Sequence, residues 1–415
     1  MTIGKPSGAS RTHAFDRWFR YPAGFSPAAL DAAFSAIGAG SNSLVIDPFA
    51  GVATAGTMAR SLGLRFRGIE AHPLIAELAN VKLKRPAALG DPEDLVAEAE
   101  ELTAAVYRAS VSGEADLVRR CFDRKTLSQL ASLRDLIIER DSPWARHLKW
   151  ALLGTLREAA TVKVGWPHQR PNRPRVRQVI GDPLQRFVDR AGWIADDLAT
   201  VPTGIDHRVV VGDSRLRDAW SRALGDERPV ACVSSPPYLN NFDYADATRL
   251  ELYFWGEVNT WAEMCASVRD GMVIATTQQT TLSAASAAWR NLDRYPRTKA
   301  VVTPLIDDLK SLRLERGRGK EYDRVVPAYF AGIGSVLGQL KHHLATRATV
   351  AWVVGDSAPY GRYIDTPRLL ACLAEEIGFE FVEDPIIRSR GERWRTNGTR
   401  HQVPLTERLL VLGSP

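Results

Sequence analysis

The sequence predicts an α/β protein, a mostly parallel, doubly wound sheet interrupted by a helical insertion. Three observations carry that reading. Short β-branched, apolar runs end in an acid or a serine: SLVIDP, LRFRGIE, HRVVVGDS, PVACVSS and TVAWVVGDS. Helical stretches separate them, and strands alternating with helices need crossovers that make neighbours parallel. Between about 86 and 204 only helical periodicity remains, as in LVAEAEELTAAVYRA, LSQLASLRDLIIER and HLKWALLGTLREA. Residues 1–85 and 205–415 are therefore expected to form the sheet domain and 86–204 the mainly helical insertion.

The elements follow in order. Residues 1–42 carry an aromatic patch, FDRWFRYPAGFSP, and a helix-like run, PAALDAAFSAIG. SLVIDPFAGVATAG reads as strand, loop and helix, with the loop punctuated by Gly, Pro and Ala. LRFRGIEAHP is a second strand with an acid at its end. After the insertion come HRVVVGDS and PVACVSS, then TVAWVVGDS. PRLLACLAEEIGF is a helix closed by Gly378 as its C-cap, and ERLLVLG is a final strand.

Composition bounds the function. Of the 415 residues, 45% are apolar and 25% charged, which is globular and not disordered. A net charge of +6 permits a polyanionic partner. The four cysteines form no CxxC pair, and the eight histidines show no ligand spacing, so neither a disulfide framework nor a metal site is expected. The N-terminus lacks an apolar signal-peptide core, and no run approaches the length of a membrane span. A cytoplasmic protein without a membrane partner is expected.

The stretch IDPFAGVATAGTMA lies where a strand hands over to a helix. In open α/β sheets, ligands bind outside the carboxyl ends of the strands. Gly51 lets the backbone approach a ligand, and the helix N-terminus offers N–H groups to an anion. Glu70 ends the next strand about twenty residues on, where an acid accepts hydrogen bonds from two ribose hydroxyls. This geometry serves NAD and S-adenosylmethionine alike.

Together, YPAGF (Tyr21 to Phe25) with Pro27, then DPFAG, then GIEAHPLIAELANVKL, resemble the opening of the amino-group DNA methyltransferases. The resemblance covers roughly residues 15–85 and 205–255, and 349–412 loosely. It implies a Rossmann-like S-adenosylmethionine-dependent methyltransferase fold, with S-adenosyl-L-methionine as cofactor. It implies that Asp47, Phe49 and Gly51 line the methionine end of the cofactor, with Pro48, Ala50 and Thr54 in the same loop. Tyr21 and Pro22 join the cofactor site, Glu70 holds the ribose with Ala71 beside it, and Asp213 meets the adenine edge. An Asp capping the following helix is the other reading of Asp213. The family has Gly-Thr where this chain has Ala53-Thr54, and an alanine fits there without strain only at negative φ.

The second motif is CVSSPPYLNNF. An exocyclic amine of cytosine or adenine is a poor nucleophile because its lone pair is delocalised into the ring. Acceptors on its two N–H bonds turn the lone pair outward and stabilise charge developing on nitrogen. Proline offers a carbonyl without an N–H. Ser235 and Pro236 each precede a proline, which fixes their carbonyl directions. Ser235 Oγ adds an acceptor, and Tyr238 a face on which an unstacked base can rest. Ser235, Pro236, Pro237 and Tyr238 are thus the catalytic candidates, in a direct in-line transfer set up by positioning. The serine form, SPPY, resembles that of cytosine-N4 methyltransferases, and Asp or Asn forms are more typical of adenine-N6 and guanine-N2 enzymes.

For nucleic acid, WPHQRPNRPRVRQ offers Arg170, Arg173, Arg175 and Arg177, uninterrupted by an acid and suited to phosphate. Further basic clusters are 313–324 and 388–401. The expected partner is double-stranded DNA, in a restriction-modification or related system with a cognate restriction endonuclease. Adenine-N6 methylation of DNA and guanine-N2 methylation of RNA are the enzymatic alternatives. A nucleic-acid-binding protein with a vestigial cofactor site is the non-enzymatic one.

Overall fold

The structure is a computed structural model that describes residues 14–21, 25–84, 89–162, 181–202, 206–239, 243–277, 280–317, 319–390 and 404–415. The chain divides into two compact units. One comprises residues 1–24, 77–207 and 244–270, the other 25–76, 208–243 and 271–415.

The second unit holds an eight-stranded sheet. Its strands are β1 (Leu44–Asp47), β2 (Arg65–Glu70), β3 (Arg208–Val211), β4 (Ala231–Ser234), β5 (Ala348–Gly355), β6 (Glu380–Glu383), β7 (Ile386–Arg390) and β8 (Leu405–Ser414). The spatial order is β3-β2-β1-β4-β5-β8-β6, with β7 also paired to β8. The first five strands run parallel, and β8 is antiparallel to β5, β6 and β7. This is the mostly parallel, doubly wound sheet that the sequence predicts. Both faces are covered, so strands such as β1 and β4 are buried at every position. Ile46, Cys232, Val350, Trp352 and Leu410 share one core with the helix Tyr322–His343.

The strand order reverses between β1 and β4. They are neighbours in space, Val45 facing Ala231 and Ile46 facing Cys232, although the chain visits β2 and β3 between them. Such a reversal opens a crevice at the carboxyl ends of the two strands. Strands β6 and β7 are absent from the sequence reading. Their EFVE and IIRSR segments are largely exposed and charged, as befits a sheet margin.

The first unit is helical: Pro92–Ala104, Arg124–Glu139, Ala145–Ala159 and Pro183–Ala199 are its principal helices. The aromatic patch near the N-terminus belongs to this unit and is buried. Asp197 accepts hydrogen bonds from the Phe15 N–H (2.7 Å), the Trp18 indole (2.7 Å) and Arg17 (2.6 Å). Phe19 packs edge-on against Trp150. Gly154 lets the chain pass close by, since a Cβ there would sit 2.5 Å from the Trp18 carbonyl. Gly378 does cap its helix, at φ +100°. No described helix is long and apolar enough to cross a membrane.

Candidate active site

The loop after β1 is built on two carboxylates. Asp47 is almost fully buried and accepts from the Phe49 N–H (2.9 Å) and the Ser234 hydroxyl (2.5 Å). Burial pushes its carboxyl pKa up to about 7, against the pull of those two donors. Glu70 accepts from the Gly51 N–H at one oxygen and the His72 N–H at the other, each at 2.8 Å. Withdrawal from water raises its pKa too, opposed by those backbone donors and that of Ala71. No cation partners either acid among the described residues. His72 is buried, its pKa lowered to about 3 by desolvation, and its place is that of a turn residue.

The rest of the loop closes against β2. Ala50 N–H donates to the Ile69 carbonyl at 3.0 Å, and Pro48 and Ala50 are buried. Gly68 makes the approach possible, because a Cβ on it would lie 2.8 Å from Ala50 Cβ. Phe49 meets Trp352 edge-on at 6.2 Å. Gly51 sits at φ +50°, in the left-handed region open to glycine. Ala53 sits there as well, at φ +58°, so the condition for an unstrained alanine is not met. Thr54 then begins the helix Thr54–Ser61.

The SPPY segment leaves β4 in the adjacent strand. Ser235 Oγ donates to the Val353 carbonyl of β5 at 3.1 Å and lies 3.5 Å from the Tyr238 hydroxyl. With its one proton directed at β5, the oxygen keeps lone-pair density to accept a further hydrogen bond. Pro236 is buried and Pro237 half-buried. Tyr238 is 8% exposed, with the Arg390 guanidinium carbon 4.8 Å from its ring centroid.

The remaining candidates fall elsewhere. Asp213 is held by the Arg215 guanidinium at 2.7 Å and accepts the Arg215 N–H at 2.9 Å. It does not cap the helix Arg217–Leu224, whose N-cap is Leu216, so that reading of Asp213 is corrected. Ala71 is half-buried and faces Gly271, where a Cβ would stand 3.6 Å from its own. Tyr21 lies in the helical unit, 6.1 Å from the ring of Tyr244. Pro22 and Arg170, Arg173, Arg175 and Arg177 lie outside the described residues. In the other basic clusters, Arg313 is neutralised by Asp323 at 2.9 Å and Arg388 by Glu407 at 2.8 Å. Among the described residues no group of three metal-binding side chains is assembled. Two contacts escape the sequence reading, Ser234 with Asp47 and Arg390 with Tyr238. Only knowledge of strand adjacency could have supplied them.

No family model matches the chain. It overlays the rRNA methyltransferase aviRa of Streptomyces viridochromogenes with a TM-score of 0.31 and 11% identity, over 94% of this chain and 86% of that one. At that score the likeness carries no argument. The Type II methyltransferase M.BsoBI of Geobacillus stearothermophilus is 21% identical over 458 residues, spanning 98% of this chain and 87% of the relative. That distant similarity along nearly the whole chain supports a methyltransferase, with S-adenosylmethionine as the methyl donor.

Proposed function

We propose that the chain methylates the exocyclic N4 amine of cytosine in DNA. The observation that carries the reading is the hydrogen bond from Ser234 to Asp47. It joins the loop expected to hold the donor to the strand that bears SPPY, across the crevice where the sheet order reverses. Methyl transfer needs these two loops side by side, because reacting atoms must meet at about 3–3.5 Å.

The residues present fit the donor. Glu70 sits at the end of β2 with each carboxylate oxygen steadied by one backbone N–H, and its remaining lone pairs suit two ribose hydroxyls. Asp47, Pro48, Phe49, Ala50, Gly51 and Thr54 would line the methionine end. S-adenosylmethionine, when bound, supplies an electrophilic methyl group on a positive sulfur. The chain's own part is to orient the acceptor. Ser235 Oγ and the Pro236 carbonyl accept from the two amine N–H bonds, turning the nitrogen lone pair toward the methyl carbon. Tyr238 holds the base that has left the duplex. The arginines 170, 173, 175 and 177 would contact phosphate. Ser235, where an Asp or Asn would stand in the other forms of the motif, carries the choice of cytosine.

The test uses labelled S-adenosylmethionine and mixed-sequence DNA, digestion to nucleosides and mass spectrometry. N4-methylcytosine is expected. N6-methyladenine as sole product overturns the choice of base, and label found only in RNA overturns the substrate class.

A further inference from the structure

We infer that Asp47 reads the charge of the methyl donor: it carries a proton in the ligand-free protein, gives it to solvent when the sulfonium donor binds, and regains one with the neutral thioether product. The inference deepens the transfer reading above and rests on its placement of the donor at the loop after β1.

Two carboxylates share this loop. Asp47 is 1% exposed, and the Phe49 N–H on it and the Gly51 N–H on Glu70 are two residues apart in sequence. Among the described residues, the ionisable groups that act on Asp47 are Glu70 of β2 and Cys232 of β4. Glu70 brings a like charge. Cys232 is fully buried, accepts the Trp352 indole N–H at its sulfur at 3.3 Å, and stays an uncharged thiol because burial pushes it well above its ordinary range. No cation among the described residues offsets the two acids. Buried carboxylates in one site do not both ionise at low cost, so the pair keeps a proton near neutral pH.

The donors decide which acid holds it. Glu70 has a backbone N–H on each oxygen, so a proton placed there competes with a donor at either one. Asp47 takes both of its donors, the Phe49 N–H and the Ser234 hydroxyl, on Oδ1. Its Oδ2 meets no donor among the described residues, and a proton there displaces no hydrogen bond. The proton therefore sits on Asp47, in line with the rise of its pKa to about 7 through burial, to which the charge of Glu70 adds. A sulfonium brought into the same water-poor loop favours the ionised acid, and the proton leaves for solvent. Methyl transfer removes that charge, because the pair of the broken S–C bond stays on sulfur. With the thioether in place, Asp47 takes a proton back.

The test titrates the protein with S-adenosylmethionine and with S-adenosylhomocysteine by calorimetry, in buffers of different ionisation enthalpy, which counts the protons exchanged. Staying at or below about pH 7 keeps the amine of both ligands charged. Wild type should release about 0.9 proton on binding S-adenosylmethionine at about pH 6. Its affinity should fall roughly fivefold from about pH 7 to about pH 6, because binding must then displace the proton. S-adenosylhomocysteine should release fewer than about half as many protons, and its affinity should change less than about twofold over that interval. Ser234→Ala removes a donor that favours the carboxylate, so at about pH 7 it should release close to one proton where wild type releases about half. Asp47→Asn should release none. Should that variant bind too weakly to titrate, infrared spectra replace it: at about pH 6 the donor should bleach a protonated-carboxyl band of wild type that ligand-free Asp47→Asn lacks. Donor binding without proton release overturns the inference and leaves the transfer reading standing, as does equal release with both ligands. Release that persists in Asp47→Asn also overturns it. Donor affinity unchanged in both Asp47→Asn and Glu70→Ala overturns the placement of the donor and this inference with it.

Discussion

The acids at the strand ends of the sheet fall into two kinds. At the ends of β1 and β2, Asp47 and Glu70 are held by backbone N–H groups and one hydroxyl. Asp213, just beyond β3, and Glu407, within β8 opposite the end of β5, are held by arginines. The first pair has no cationic partner among the described residues, where a positively charged, hydroxyl-bearing molecule is expected. The second kind is neutralised on the spot and supports architecture. The difference teaches that a conspicuous acid after a strand is not equivalent to its neighbours: its partners, more than its position, mark it for a ligand.

The strongest way to break this picture lies between the two kinds, at Ser235. Ser235→Ala removes the acceptor proposed for the transfer and should reduce kcat roughly hundredfold, the order seen when one preorganised polar group is lost. Calorimetry should find cofactor affinity unchanged, and a variant that no longer binds cofactor would show the division of roles to be wrong. Next comes Glu70→Ala, expected to weaken cofactor binding by about 10–100-fold, as for hydrogen bonds to a charged group. Asp213→Asn is its foil. With its carboxylate already committed to Arg215, that change should move the dissociation constant by no more than about threefold. Equal effects at the two positions would erase the distinction.

Asp47 supplies a test in pH. Its folded pKa of about 7 lies above the ordinary value of 3.8. Its contribution to stability is therefore full below about pH 4 and is lost as pH rises toward 7. Asp47→Asn does not titrate, so its melting temperature should gain on wild type across that window and run parallel to it above. A constant difference would mean that Asp47 ionises normally. The smallest effect belongs to Ala53→Gly. Relief of the left-handed alanine, partly offset by the freer unfolded chain, should stabilise the protein by about 1 kcal/mol or less in denaturant melts.

Much of the sheet is legible in the sequence because β1 to β5 are short apolar runs stopped by Gly, Asp or Ser. The strand β8 announces itself as ERLLVLG, although its reversed direction does not. The strands β6 and β7 are hidden by their exposure, which lets EFVE and IIRSR read as loop. Site residues within one loop, such as Asp47 to Gly51, can be read together. Contacts across strands cannot. Ser234 has no role in the sequence reading, and Arg390 reads as one arginine of a basic cluster offered to nucleic acid, because their partners are set by which strands lie side by side. The conformation of Ala53 is equally invisible, since nothing in ATAG announces a positive φ.

The last residue of β4 and the one that follows it are adjacent serines, and each finds a different neighbour. Ser234 reaches Asp47 of β1, and Ser235 reaches the backbone of β5. One peptide bond therefore joins the two halves of the crevice. Whatever binds at Asp47 and shifts it pulls on Ser234, and through it on the oxygen that would meet the amine. The two substrates should then bind with a shared coupling free energy, and by linkage each must change the affinity of the protein for the other by the same factor.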